Sequence, residues 1–114
     1  SNVIQPTVGR VVWFGPNGAD LGPKFRIESD TQPCKADIVF VHNDRLVNLM
    51  VVDHQGSARP AQKVQLLQHG DEQPAEGTPF CCWMPYQLSQ AAKTEQLQQQ
   101  LSTPAAPAGD SAAA

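Results

Sequence analysis

The 114-residue chain is poor in charge and poorest in basic charge: eight Lys and Arg against eleven Asp and Glu leave a balance of −3. A protein that grips duplex nucleic acid by its phosphates needs a basic face, so no duplex nucleic acid is expected as a partner. The deficit does not bar a small nucleotide, which one or two arginines can hold. No apolar run approaches 18 residues, which excludes a helical membrane span and a membrane partner. The start of the chain has neither a basic segment nor an apolar one, so no signal peptide is expected. Cys34, Cys81 and Cys82 form no CxxC pair, and adjacent Cys81 and Cys82 would point to opposite faces of a strand. The odd count reads as reduced thiols of a cytosolic protein rather than a disulfide frame. His42, His54 and His69 are scattered, so neither a structural metal nor a cofactor is expected. The glycines of Gly15–Pro23 do not match a phosphate loop, and no helix follows them.

What the chain does have is a strong β signal between Cys34 and Asp53, CKADIVFVHNDRLVNLMVVD. Val, Ile, Phe, Leu and Met fill two runs, Lys35–His42 and Arg45–Val52, and such residues fit a pleated, half-buried surface. With Asn43-Asp44 as a two-residue turn, His42 would pair with Arg45, Phe40 with Val47 and Ile38 with Leu49. Side chains alternate, so Ile38, Phe40, Val47, Leu49 and Val51 are the expected core face. The other face carries Asp37, Val39, Val41, Leu46, Asn48, Met50 and Val52. It is also largely apolar, whereas a solvated face should read polar. A subunit, the C-terminal helix or a ligand is expected to cover it, most simply a second copy in a homo-oligomer.

Around this hairpin the remaining elements follow in order. Ser1–Pro6 reads as a loose lead-in and Thr7–Phe14 as the first strand. Val8, Arg10, Val12 and Phe14 would lie on one face of that strand, and Gly9 marks a bulge or a close backbone approach. Gly15–Pro33 is a long loop with a short strand expected at Lys24–Ile27, and it is a candidate ligand lid. Asp53-His54-Gln55-Gly56 suits a type I turn. Lys63–Gln68 and Phe80–Met84 are the fourth and fifth strands, separated by the acidic stretch His69–Pro79. Helix formers run from Tyr86 to Leu101 with a thin apolar stripe. The expected fold is mostly β: a small SH3-like antiparallel barrel or roll, with an OB-like barrel as the alternative, and one C-terminal α-helix. The domain reading is a barrel over 1–87, a helix over 88–101 and a disordered Ala/Pro-rich tail over 102–114.

No residue pattern demands catalysis. Asp37 and Asp53 lie at remote ends of the hairpin, and the cysteines and histidines show no fixed spacing, so the chain reads as no enzyme. The candidate ligand-binding residues are Trp83 and Tyr86, which could stack a base, Arg10 and Arg45, which could fork onto phosphate, and Asn48, which could read a polar edge.

The stretches TVGRVVWF, ADIVFVHNDRLVNLMVVDHQG and FCCWMPYQ resemble a family of small, mostly uncharacterised phage and prophage proteins. The likeness spans about Pro6–Gln87, with Val47–Gly56 and Trp83–Gln87 its most specific parts. The resemblance implies a phage setting and carries no catalytic motif. It leads to a first functional expectation: a non-enzymatic binder in the host cytoplasm that sequesters a nucleotide-derived immune signal. The alternatives are a virion structural or decoration protein and an inhibitor that binds a host protein.

Overall fold

The computed structural model describes residues 3–102. Five strands, β1 (Val11–Gly15), β2 (Cys34–Asn43), β3 (Leu46–Val52), β4 (Ala58–Leu67) and β5 (Phe80–Cys82), close into a barrel in sequence order. One helix, α1 (Pro85–Ser102), follows. The expected SH3-like barrel with a single C-terminal helix is the architecture observed. The chain divides at Met84/Pro85 into a barrel unit and a helical unit. Proline fits the first helical position, where its missing N–H has no intrahelical partner to lose, so the helix starts before the expected boundary at residue 87. Most of the tail expected over 102–114 lies outside the described residues.

A ring whose neighbours are all antiparallel needs an even number of strands. Five strands therefore leave one parallel pair, and here it is β4 with β5, Gln65 to Leu67 running beside Phe80 to Cys82. A parallel return needs a connection of about a dozen residues. The acidic stretch 68–79 supplies it.

The interior is filled by alternate residues of every strand: Val12 and Phe14, Cys34, Ala36 and Ile38, Val47, Leu49 and Val51, Val64 and Leu66, and Cys81. Each large one contributes about 1.5–3 kcal/mol by leaving water. Ile38 pairs with Leu49 as the hairpin predicts, but the turn is shifted. Asp44 and Arg45 occupy it and Asn43 pairs with Leu46. Val39 and His42 are extra residues in β2, so Phe40 lies opposite Asn48 instead of Val47, and Val41 takes the place beside Val47. A one-residue slip exchanges the faces of a strand. Phe40 is thus 52 % exposed rather than part of the core.

β1 begins only at Val11. Ahead of it Gly9, at φ 96°, donates to Ile38 O while Ile38 N donates to Arg10 O, both at 2.8 Å. Two residues oppose one with glycine in the left-handed region, which is the bulge Gly9 announced. It puts Val8 in solvent, not on the face of Val12 and Phe14. No strand forms at Lys24–Ile27; Phe25 instead turns its ring edge-on to Phe14, centroids 6.4 Å apart, with the Arg59 guanidinium over its face.

The long loop is tied down rather than free to act as a lid. The buried Asp53 carboxylate accepts the N–H groups of Arg26, Gln55 and Ser57 at 2.9–3.0 Å. His54 Nδ1 accepts from Glu28 N, leaving its Nε2–H for Gln32 O. Asn17 gives its Nδ2 to the carbonyls of Pro74, Ala75 and Thr78. At the chain's start, Pro6 is buried and Ile4 is hydrogen-bonded through both backbone groups, so the described lead-in is fixed.

The N–H donors, Arg26 first and then Ser57, hold the Asp53 carboxyl below the usual carboxylate range, against the opposing pull of burial. Its folded pKa is thus below its unfolded one, so its stabilisation is complete above the unfolded value and is lost as pH falls through the folded one. Asp53→Asn, which faces an NH2 towards the Arg26 N–H, should lower the urea midpoint at about pH 7. The gap to the wild type should narrow once pH falls below the unfolded carboxyl's value of about 4 and on towards the lower folded one. A gap that stays constant between these pH values would show that the charge is irrelevant to the loop.

Candidate functional site

Of the five residues expected to bind a ligand, three are linked at one end of the barrel. Arg10 sets its guanidinium 5.4 Å from the centre of the Trp83 ring, a cation–π contact. Trp83 is only 2 % exposed and donates its indole N–H to Gln68 Oε1 at 3.1 Å. Gln68 N donates to Asp71 Oδ2, and Asp71 accepts from Arg45 Nε at 2.9 Å and from its Nη2 at 3.3 Å. Asp44 lies 3.8 Å from the same guanidinium. The Arg45 hydrogen bond, helped by Gln68 N, holds the Asp71 carboxyl below its ordinary value.

This arrangement does not offer what a nucleotide would use. The Trp83 ring is buried under Arg10, so it cannot be sandwiched by a base. Arg45 already spends its fork on Asp71, and the acidic neighbours cancel the local charge that a phosphate needs. Tyr86 lies in α1 and is 70 % exposed. Gln68 and Asp71 join these residues, and neither has a sequence signal: one is a glutamine closing a strand, the other an acid in an acidic loop.

Asn48 stands elsewhere, on the outer face of β3, and the sheet is irregular around it. Both β2 register shifts lie opposite or beside it, and the β3–β4 shift falls on Asn48 itself, between Val47 and Leu49. On β4 the shift leaves Gln62 and Lys63 across from Asn48, and Lys63 takes φ 53°, a left-handed conformation unusual for a side chain other than Gly, Asn or Asp. Asn48 Oδ1 accepts the Lys63 N–H at 2.8 Å and the His42 Nε2–H at 3.0 Å. These two donors fix the orientation of the amide and place the His42 proton on Nε2. The Asn48 Nδ2 has no partner among the described residues. Phe40 packs edge-on against His42, centroids 4.9 Å apart, and Val39 and Met50 are exposed beside it. The sequence marked Asn48 as a polar insertion in an apolar face. It concealed Phe40, His42 and Lys63, because only the bulges bring them there.

No group of three or more His, Cys, Asp and Glu among the described residues is placed to hold a metal ion. Cys81 is buried and its thiol is pushed up to about 12, chiefly by that burial; burial raises Cys34 and Cys82 as well. Such thiols are protonated at neutral pH and are poor nucleophiles. No helix among the described residues is long and apolar enough to cross a membrane.

Two substitutions test the Asn48 knot by stability alone. Asn48→Ala leaves the Lys63 N–H without its acceptor and should cost about 1–2 kcal/mol in urea unfolding. Lys63→Gly relieves the left-handed backbone at a solvent-exposed position and should be neutral or stabilising by up to ~1 kcal/mol. A clear loss in the second variant would mean that the lysine side chain, and not the bulge, is what the fold needs.

Comparison with protein-family models, with curated proteins and with solved structures returns no match for this chain.

Proposed function

We propose that the chain is a non-enzymatic binding module whose working surface is the outer face of β2 and β3 around Phe40 and Asn48. The observation that carries this is the convergence of three register breaks and a left-handed lysine on one half-buried asparagine of the outer face. Strain of this kind persists where the surrounding structure holds it in place, and bulges re-aim side chains at the edge of a site. Here they turn a phenylalanine that strand alternation would bury out into water, beside Val39 and Met50. An apolar patch with a polar amide at its centre fits a protein partner, where an aromatic anchor supplies affinity and the amide supplies register. On the phage resemblance the partner is a host protein that the module inhibits, or a virion component. A second copy of the chain, as the apolar outer face leads one to expect, satisfies the same surface.

One observation favours a nucleotide-derived signal as the ligand instead. The Asn48 amide still has donors to offer next to an exposed ring, as base recognition requires, and that site would be this face rather than the end bearing Arg10 and Arg45.

Phe40→Asp decides whether this face works. The side chain is half in solvent, so the variant should melt within a few degrees of the wild type. It should lose at least about tenfold in affinity for whatever the wild type binds. Light scattering reads self-association, affinity capture from host cells with mass spectrometry reads a protein partner, and calorimetry with cyclic dinucleotides and cyclic ADP-ribose isomers reads a nucleotide. Binding of any kind that Phe40→Asp leaves intact removes this face from the function.

A further inference from the structure

The barrel end that bears the β2–β3 turn holds a second recognition element, built from residues other than Phe40 and Asn48. The carboxamide of Gln68 is 3 % exposed and makes four hydrogen bonds. Two go to a single residue: Oε1 accepts from Ile4 N and Nε2 donates to Ile4 O, both at 3.0 Å. A side-chain amide gripping both backbone groups of one residue imitates a neighbouring strand. It reads an extended peptide by its main chain. The other two bonds come from the barrel itself, from Trp83 Nε1 at 3.1 Å and to Asp44 O at 2.7 Å.

Those two bonds orient the carboxamide whether or not Ile4 is present. The segment that fills the clamp belongs to no strand; the sheet pairing begins beyond it, at the Gly9 bulge. A turn closed by Arg10 N to Thr7 O separates the segment from β1. Release of the segment would break no strand pairing, though it would cost the two Ile4 bonds and the burial of Pro6, and it would expose one donor and one acceptor of Gln68.

We propose that the Gln68 clamp is a binding site for extended peptide, filled in cis by residues 3–6 and open in trans to the same segment of a second copy. The chain's own segment acts as a plug, and its exchange between two copies joins them through the barrel ends. Because the clamp recognises backbone, a segment that fits in cis fits in trans by construction.

The test uses the full-length Ile4→Pro variant, which removes the donated N–H and loosens the plug without shortening the chain, and a synthetic peptide of residues 3–8. The peptide should bind the variant and move the Trp83 indole N–H resonance in nuclear magnetic resonance spectra. It should bind the wild type at least about tenfold more weakly, because the plug competes. The same peptide with proline at its second position lacks the N–H and should bind at least about tenfold more weakly than the parent. An unmoved Trp83 signal at millimolar peptide, or equal binding of the proline peptide, overturns the proposal. If the variant does not fold, the wild type decides. Two isotope-labelled batches refolded together at high concentration should give mixed dimers in native mass spectrometry, and excess peptide should dissociate them. Phe40→Asp should leave these dimers intact, which separates this exchange from association through the outer face. No mixed dimer, or one indifferent to the peptide, refutes the exchange.

Discussion

Closing five strands into a ring forces one parallel pair, and much of the molecule answers to that constraint. The parallel step between β4 and β5 requires a long return, and stretch 68–79 makes it. Such a return leaves polar backbone at the barrel end, where groups must be paired or wet. Gln68 stands at its first residue. Its carboxamide joins the β2–β3 turn through Asp44, the residue after β5 through Trp83, and the lead-in through Ile4. Asp71 caps Gln68 N from three residues on and takes Arg45 from the turn. One end of the barrel is thus a polar knot assembled from four separate parts of the sequence. The loop around Asp53 and His54 does the corresponding work for stretch 26–33.

The architecture was legible because it rests on signals that survive local error. Two apolar runs of strand length fix a hairpin wherever its turn falls, and a run of Gln, Ala, Leu and Lys after a proline fixes a helix. Ile38 opposite Leu49 and the interior places of Val12, Phe14, Val47 and Val51 came from alternation, and the Gly9 bulge, one of two readings of a glycine in a strand, came from residue type. The parallel closing pair could not be read that way. Nothing in Phe80–Cys82 states a direction, which follows only from closure with an odd strand count.

The site was less legible, for a physical reason. Residue type suggested Arg10, Arg45, Trp83, Tyr86 and Asn48, yet the chemistry of a side chain depends on what it already touches. Arg45 and Asp71 are far apart in sequence and neutralise one another, so the arginine is a strut. Trp83 is a large amphipathic residue that the fold uses as a buried donor. Phe40 was misplaced because alternation assumes that every residue of a strand is paired. Val39 and His42 are not, and each unpaired residue reverses the faces beyond it.

That reversal bears on what the barrel is for. A regular β2 would have placed Phe40 inside and left a smoother outer face. The extra residues instead bring a half-buried Val41 opposite Val47, while the larger aromatic ring is displaced to the surface. Filling the interior does not require this, since a phenylalanine buries more area than a valine. The irregular ladder also needs Asn48 to satisfy a left-handed lysine. The sheet accepts a less regular ladder, a strained residue and an exposed ring together on one patch. The Gly9 bulge is a further break in the ladder, but three register shifts and a left-handed lysine meet only around Asn48, and that concentration is the ground on which a binding surface is proposed there.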